Sequence, residues 1–194
     1  MLSSREFFRL LRKRWKEGPK RIDKLIAGHV DDCVVMMCDS SGFSRITAEH
    51  GILQFLMVMT VCYDGLIPLL ESHEGECLSH NADNILAVFK DPAKAAAAAV
   101  AMHRWLQRRN AKLPEKDRFN VCIGLHMGPV VRLKTNVFGD VVNVAAKLGE
   151  DLAAKDEVLV TSAVAAKLKG RFDVRYARSA EIGGRTFELH RVHY

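Results

Sequence analysis

The stretch Cys33–Ser44, CVVMMCDSSGFS, decides how this chain is read. Six apolar residues in a row match the length of a strand buried on both faces. Asp39 ends that run. Ser40, Ser41, Gly42, Phe43 and Ser44 follow, with the small polar character of a helix start. Free backbone N–H groups at a helix start favour anions. A carboxylate favours a cation. The two features side by side predict a cation ligand next to a phosphate cradle. On residue types alone, Asp39 also suits a turn or a helix cap.

A second acid stands in an equivalent place. In CLSHNADNILAVF, Cys77–Phe89, the strand-like Ile85–Phe89 run is preceded by Asp83 in the corner Asn81-Ala82-Asp83-Asn84. Flanked by GECLSH, that corner predicts a hairpin. If this hairpin and the 33–38 strand are sheet neighbours, Asp39 and Asp83 converge at one edge. Two hard oxygen ligands there suit Mg²⁺ or Mn²⁺ shared with substrate phosphates.

Working outward, residues 45–72 read as one helix anchored by Leu53, Leu56, Val61, Leu66 and Leu70. Asp91-Pro92 opens a second helix through the alanine run to Asn110. FNVCIGLHMG and PVVRL predict a hairpin turning at Gly128-Pro129. GDVVNVAAKLGED reads helical, with Asp140 as its cap. EVLVT is a strand, SAVAAKLKG a helix, and FDVRYAR and TFELHRV are closing strands. Hairpins alternating with helices predict an α/β sandwich with a mostly antiparallel sheet.

The chain has 194 residues, 48% hydrophobic and 27% charged, which suits one globular domain with a short extension. We divide it into a basic amphipathic arm, residues 1–28, and a body, residues 29–194. Residues 1–26 carry nine Lys/Arg against three Asp/Glu, whereas the remainder holds twenty of each. The body is therefore not a basic nucleic-acid binder, and any anionic partner meets the arm. Phe7, Phe8, Leu10, Leu11 and Trp15 form one helical stripe until Gly18-Pro19 breaks it. Such a helix packs on its own domain or on a dimer mate, lies on a membrane surface, or stands as a solvated arm. No run of about 18 apolar residues predicts a spanning helix, and no apolar h-region predicts a secretory signal. Five cysteines without a CxxC pair predict reduced thiols and a cytoplasmic protein, with a peripheral membrane or regulatory contact assigned to the arm.

Four segments together resemble the class III nucleotidyl (adenylate/guanylate) cyclase catalytic domain. MMCDSSGFSRI is similar to its first metal motif and NADNILAVF to its second. CIGLHMGPVV resembles its hairpin motif, and VFGDVVNVAAKLGE its Asn-bearing helix. The resemblance spans about residues 31–192. It implies a ferredoxin-like α/β sandwich acting as a homodimer, with two sites each built from both chains. It implies that Asp39 and Asp83 hold two divalent cations, Mg²⁺ or Mn²⁺, and that the 40–44 loop binds phosphate. The partner would supply Asn143 to orient the ribose and Lys147, one turn later, to meet charge developing on phosphate. The reaction implied is conversion of a nucleoside triphosphate, ATP by default, to a 3′,5′-cyclic nucleotide and pyrophosphate.

The departures fall elsewhere. Lys147 stands where most relatives carry Arg, keeping the charge but losing the planar fork. Ser79 and Asn136 occupy the base-reading positions, and neither dictates adenine over guanine. Cys122 replaces an Arg that often reaches the triphosphate; the family's late Lys near the C-terminal hairpin is also missing, and Arg185 is a weak stand-in for it. These changes motivate an alternative: a weak or inactive cyclase-like domain that binds nucleotide or a partner. His126 reads as a packing histidine, and Met36, Met37, Met57 and Met59 as core filler.

Overall fold

The computed structural model describes residues 1–80 and 83–194, so Asn81 and Ala82 of the expected corner lie outside the described residues. Two helices, α1 (Ser4–Trp15) and α2 (Pro19–Ala27), precede strand β1 (Val30–Ser40). Then come α3 (Phe43–His50), α4 (Ile52–Ser72), β2 (Glu76–Ser79), β3 (Asn84–Phe89) and α5 (Pro92–Asn110). The second half runs β4 (Val121–Arg132), β5 (Val137–Phe138), α6 (Asp140–Ala146), a π turn (Lys147–Leu152), β6 (Val158–Thr161), α7 (Ser162–Leu168), β7 (Asp173–Ile182) and β8 (Arg185–His193). The sheet order is β2-β3-β1-β4-β6-β8-β7, with β5 paired to β4. Every pairing is antiparallel except β4 with β6.

Strand β1 sits at the centre, and its side chains alternate between two cores. Val34, Met36 and Cys38 join the helical layer containing Phe55, Leu66, Ala95 and Leu168. Cys33, Val35 and Met37 face Val141 and Ala145 of α6. Burial on both faces is why CVVMMC is apolar without interruption. Val35 and Met36 are fully enclosed, and each such side chain contributes about 1.5–3 kcal/mol of transfer free energy. Asp91 caps α5, accepting from the Ala93 N–H at 2.7 Å. The alanines that follow let that helix lie close to the sheet.

Several expectations change. Residues 45–72 form two helices, separated at Gly51. The core side of α4 is Phe55, Val58, Cys62, Tyr63, Leu66 and Leu70, whereas the expected anchors Leu53, Leu56 and Val61 point outward at 74%, 39% and 55% exposure. The helix carries two apolar stripes, and spacing alone did not tell which one the sheet covers. Met57, expected in the core, lies on the outer stripe. By length and hydropathy α4 alone, among the described residues, is long and apolar enough to cross a membrane, contrary to expectation; its inner face nonetheless packs into the protein core.

The expected turn at Gly128-Pro129 is also absent. Strand β4 runs straight through it, in register with β1 from Val30↔Val131 to Ser40↔Val121. On its other side β4 pairs only at 123–125 and 131–132. Pro129 falls between these, where a missing N–H breaks no ladder on that side.

Candidate active site

Asp39 is the penultimate residue of β1, opposite Asn84 of β3 and Cys122 of β4. Strand alternation puts its side chain on the α6 face, two residues beyond Met37. Asp83 immediately precedes β3. Ser40 joins the two acids: its N–H donates to the Asp83 carbonyl at 3.0 Å and its hydroxyl to Asp83 Oδ2 at 3.0 Å. Burial, then Asp83, then Glu150 push the Asp39 carboxyl up to about 7, with the Ser40 N–H pulling slightly the other way. Glu150 is raised too, by burial, Asp151 and Asp83. Acids that repel one another at a buried edge favour a hard cation. Among the described residues no group of three or more His, Cys, Asp or Glu is placed to hold a metal ion. Asp39 and Asp83 therefore offer part of a shell, to be completed by water and substrate oxygens, as Mg²⁺ prefers. On donor chemistry the pair fits the implied ions.

Of the loop expected to bind phosphate, two N–H groups already have partners within the protein. The Ser40 N–H is spent on Asp83, and the Ser41 N–H donates to Asn120 O at 2.8 Å. That leaves Gly42, Phe43 and Ser44 of the expected cradle. Gly42, at φ 90°, occupies the left-handed region that favours glycine and precedes α3 without any side-chain cap. The N–H groups of Phe43 and Ser44 lie in the first turn, where no intrahelical acceptor exists. The Phe43 ring is turned inward, edge-on to Phe55 at 4.7 Å. Support reaches this loop from α5. Buried Asn110 donates to Phe119 O (2.7 Å) and accepts from Phe119 N (3.1 Å), holding the segment whose next carbonyl takes Ser41.

Asn143 and Lys147 are exposed on one face of α6 and its π turn. Neither makes a hydrogen bond or ion pair with Asp39 or Asp83 among the described residues. The Lys147 ammonium instead lies 2.7 Å from Asp151 Oδ2. The turn is seated by two glycines. A Cβ on Gly149 would come 2.6 Å from the Met37 carbonyl oxygen, and one on Gly124 would come 2.4 Å from the Gly149 nitrogen. The sequence reading missed Glu150, Asp151, Gly124 and Gly149. The signal available for the acids was their position, three and four residues after Lys147.

The two residues expected to read the base lie on different elements. Ser79 ends edge strand β2 beside a bulge. Asn136 closes the β4–β5 turn: its carbonyl accepts from Leu133 N at 2.9 Å and its side-chain oxygen from Val137 N at 2.8 Å. Cys122 is buried next to Asp39, its thiol pushed up to about 11 by burial. Arg185 is ion-paired with Asp140 and stacks over Phe187 at 5.2 Å. Asp140 is thus the first residue of α6 rather than its cap, which is Gly139. His126 is buried, 2.8 Å from Thr161 Oγ1, as a packing histidine should be. The arm touches this region as well. Leu2 O accepts from Lys134 N at 2.9 Å, and Phe8 meets Phe138 edge-on at 5.5 Å.

Comparison with known proteins adds a family. The sequence profile described as adenylate and guanylate cyclase catalytic domain matches residues 25–193. The serine/threonine-protein kinase pkn2 of Myxococcus xanthus is 32% identical over 130 residues, 67% of this chain and 16% of that protein. A Rhizobium meliloti (strain 1021) protein provisionally designated adenylate cyclase 3 is 26% identical over 145 residues, 75% of this chain and 24% of that protein. The chain thus spans less than a quarter of the length of either relative. Among solved structures, an adenylate/guanylate cyclase/hydrolase from Silicibacter pomeroyi shares the fold with TM-score 0.77 and 23% identity, covering 84% of this chain and 96% of that one.

Proposed function

The chain belongs to the family of adenylate and guanylate cyclase catalytic domains, and from that premise we propose that it closes a nucleoside triphosphate into a 3′,5′-cyclic nucleotide, releasing pyrophosphate, at sites shared by two copies of the chain. The observation that carries this reading is the Asp39–Asp83 pair, tied through Ser40 beside the open N-terminal turn of α3. Two Mg²⁺ or Mn²⁺ ions held by these carboxylates would supply Lewis acidity at the phosphates and a more acidic ribose 3′-hydroxyl. The backbone of Gly42–Ser44 binds phosphate oxygens. From the second copy, Asn143 orients the ribose through its amide. Lys147 exchanges Asp151 for the charge that grows on phosphate as the 3′-hydroxyl gives its proton to solvent, its oxygen bonds to the α-phosphorus and pyrophosphate departs.

Family frequency makes ATP the reference substrate. One observation favours GTP as a second reading. One lone pair of the Asn136 side-chain oxygen is taken by Val137 N, whereas both N–H donors of its amide are without a partner among the described residues; that balance toward donation suits a base carbonyl better than a base amine. Five free cysteines accord with a reducing, cytoplasmic setting. The test is the purified dimer incubated with each of the four triphosphates and Mn²⁺ or Mg²⁺. Cyclic product that disappears in Asp39→Ala and Asp83→Ala supports the reading. No cyclic product from a folded dimer, or full activity in either variant, would sink it and favour a binding module.

A further inference from the structure

The arm holds nine cations and three acids in residues 1–26, while the rest of the chain is balanced. Arg14 and Arg21 pair with one shared acid, Glu17, at 2.9 and 3.0 Å. The other seven make no ion pair among the described residues, and all seven are exposed. Between α1 and α2, Arg14, Arg21, Lys24 and Leu25 line a cleft of about 500 Å³. One acid against three cations leaves it positive.

The arm is also two-sided. Phe7 is buried against His29 at 5.6 Å, and Phe8 packs on Phe138, so one side holds the arm to the body. Trp15, next to Arg14, is left 75% exposed. An uncovered indole beside a concentrated positive field suits the boundary between water and lipid, where its ring buries and its N–H stays hydrated. Charge selects the occupant. Arm against arm sets like charge on like, and the charge-balanced body of a second copy offers no net attraction, whereas an anionic bilayer attracts the arm. A nucleic acid would satisfy the charge but not the apolar surface of Trp15 and Leu25.

We propose that the α1–α2 arm is a docking surface for anionic lipid bilayers, the cleft receiving phosphate-bearing headgroups and Trp15 entering the interfacial layer. The assay is sedimentation of the full 194-residue chain with phosphatidylcholine vesicles, with and without phosphatidylserine. Binding should require phosphatidylserine, weaken with salt, and persist in millimolar inorganic phosphate. The triple variant R14Q/R21Q/K24Q should bind about a hundredfold more weakly, since each cation near an anionic surface contributes roughly 1 kcal/mol. W15A, on an exposed side chain that leaves folding intact, should weaken binding several-fold. Trp15 emission should shift to the blue on binding, and W15F should lose that shift. Four results would overturn the proposal: no vesicle binding, equal binding without phosphatidylserine, displacement by inorganic phosphate, or tighter binding to duplex DNA than to the vesicles. Turnover is not read in any arm, so failure here leaves the cyclase reading untouched.

Discussion

Asp39→Asn should make the metal-free protein more stable while abolishing turnover. Burial and the neighbouring Asp83 and Glu150 lift the Asp39 carboxyl from an ordinary 3.8 to about 7. At 1.36 kcal/mol per pH unit, that is a ceiling of roughly 4 kcal/mol against the ionised form. Asp39 is only part-buried at the sheet edge, so screening by solvent reduces the effect to about 1–2 kcal/mol. The sign follows from the direction of the shift. A carboxyl whose folded pKa exceeds its unfolded one destabilises the native state above the folded value. That penalty fades as pH falls through about 7 and is gone near 4. Asparagine removes it. For a chain of this size, about 1–2 kcal/mol corresponds to roughly 3–6 °C in Tm. The measurement is thermal unfolding of both proteins in EDTA at about pH 8.5 and about pH 5, within the window set by linkage. The variant should melt higher at the upper pH, and the gap should narrow at the lower. Added Mn²⁺ should raise the Tm of the wild type and leave the variant unmoved. A variant that melts at or below the wild type in EDTA at high pH would refute the reasoning, as would a gap that does not change with pH.

Three further outcomes are expected. Lys147→Ala should lower kcat by about 10²–10³-fold, the scale of one lost charge donor, whereas Lys147→Arg should match or exceed the wild type because the guanidinium fork serves phosphate better; an inactive arginine variant would count against this role. Asn136→Asp should move the GTP-to-ATP preference toward ATP by about tenfold or more, since it replaces the spare donor with an acceptor; competition assays with both triphosphates read this, and an unchanged ratio removes Asn136 from base reading. Gly149→Ala forces a methyl to 2.6 Å from the Met37 oxygen and should cost about 1–3 kcal/mol together with a fall in kcat, because the turn bearing Lys147 must lift; denaturant unfolding and kinetics that both equal the wild type would show that the close approach is not needed.

Much of the fold was readable from local pattern. Six apolar residues before Asp39 mean a strand with both faces covered, and β1 is that strand. Asp91-Pro92 opens α5 by a cap that the chain carries with it. Gly18-Pro19 separates α1 from α2 for reasons equally local. Where the reading failed, two local solutions were equally good. Helix α4 has two apolar stripes, and spacing cannot say which one the sheet covers. Gly128-Pro129 signals a turn in isolation, yet an 11-pair ladder with β1 holds it extended.

By itself the sequence determined the chemistry on offer: carboxylates at the ends of two strands, an open helix start after the first, and an amide and a cation one turn apart on one helix. These are spacings of three, four or two residues, and the periods of helix and strand enforce them wherever the chain folds. The tertiary structure alone decided how those groups are spent. Ser40 and Ser41 give their N–H groups to Asp83 and Asn120, which leaves Gly42–Ser44 for the proposed phosphate contact. Strand alternation turns Asp39 toward α6, and the π turn seated by Gly149 brings Glu150 and Asp151 near enough to raise its pKa. Burial, and the partners that consume or free each polar group, come from residues far apart in sequence, so no local period encodes them.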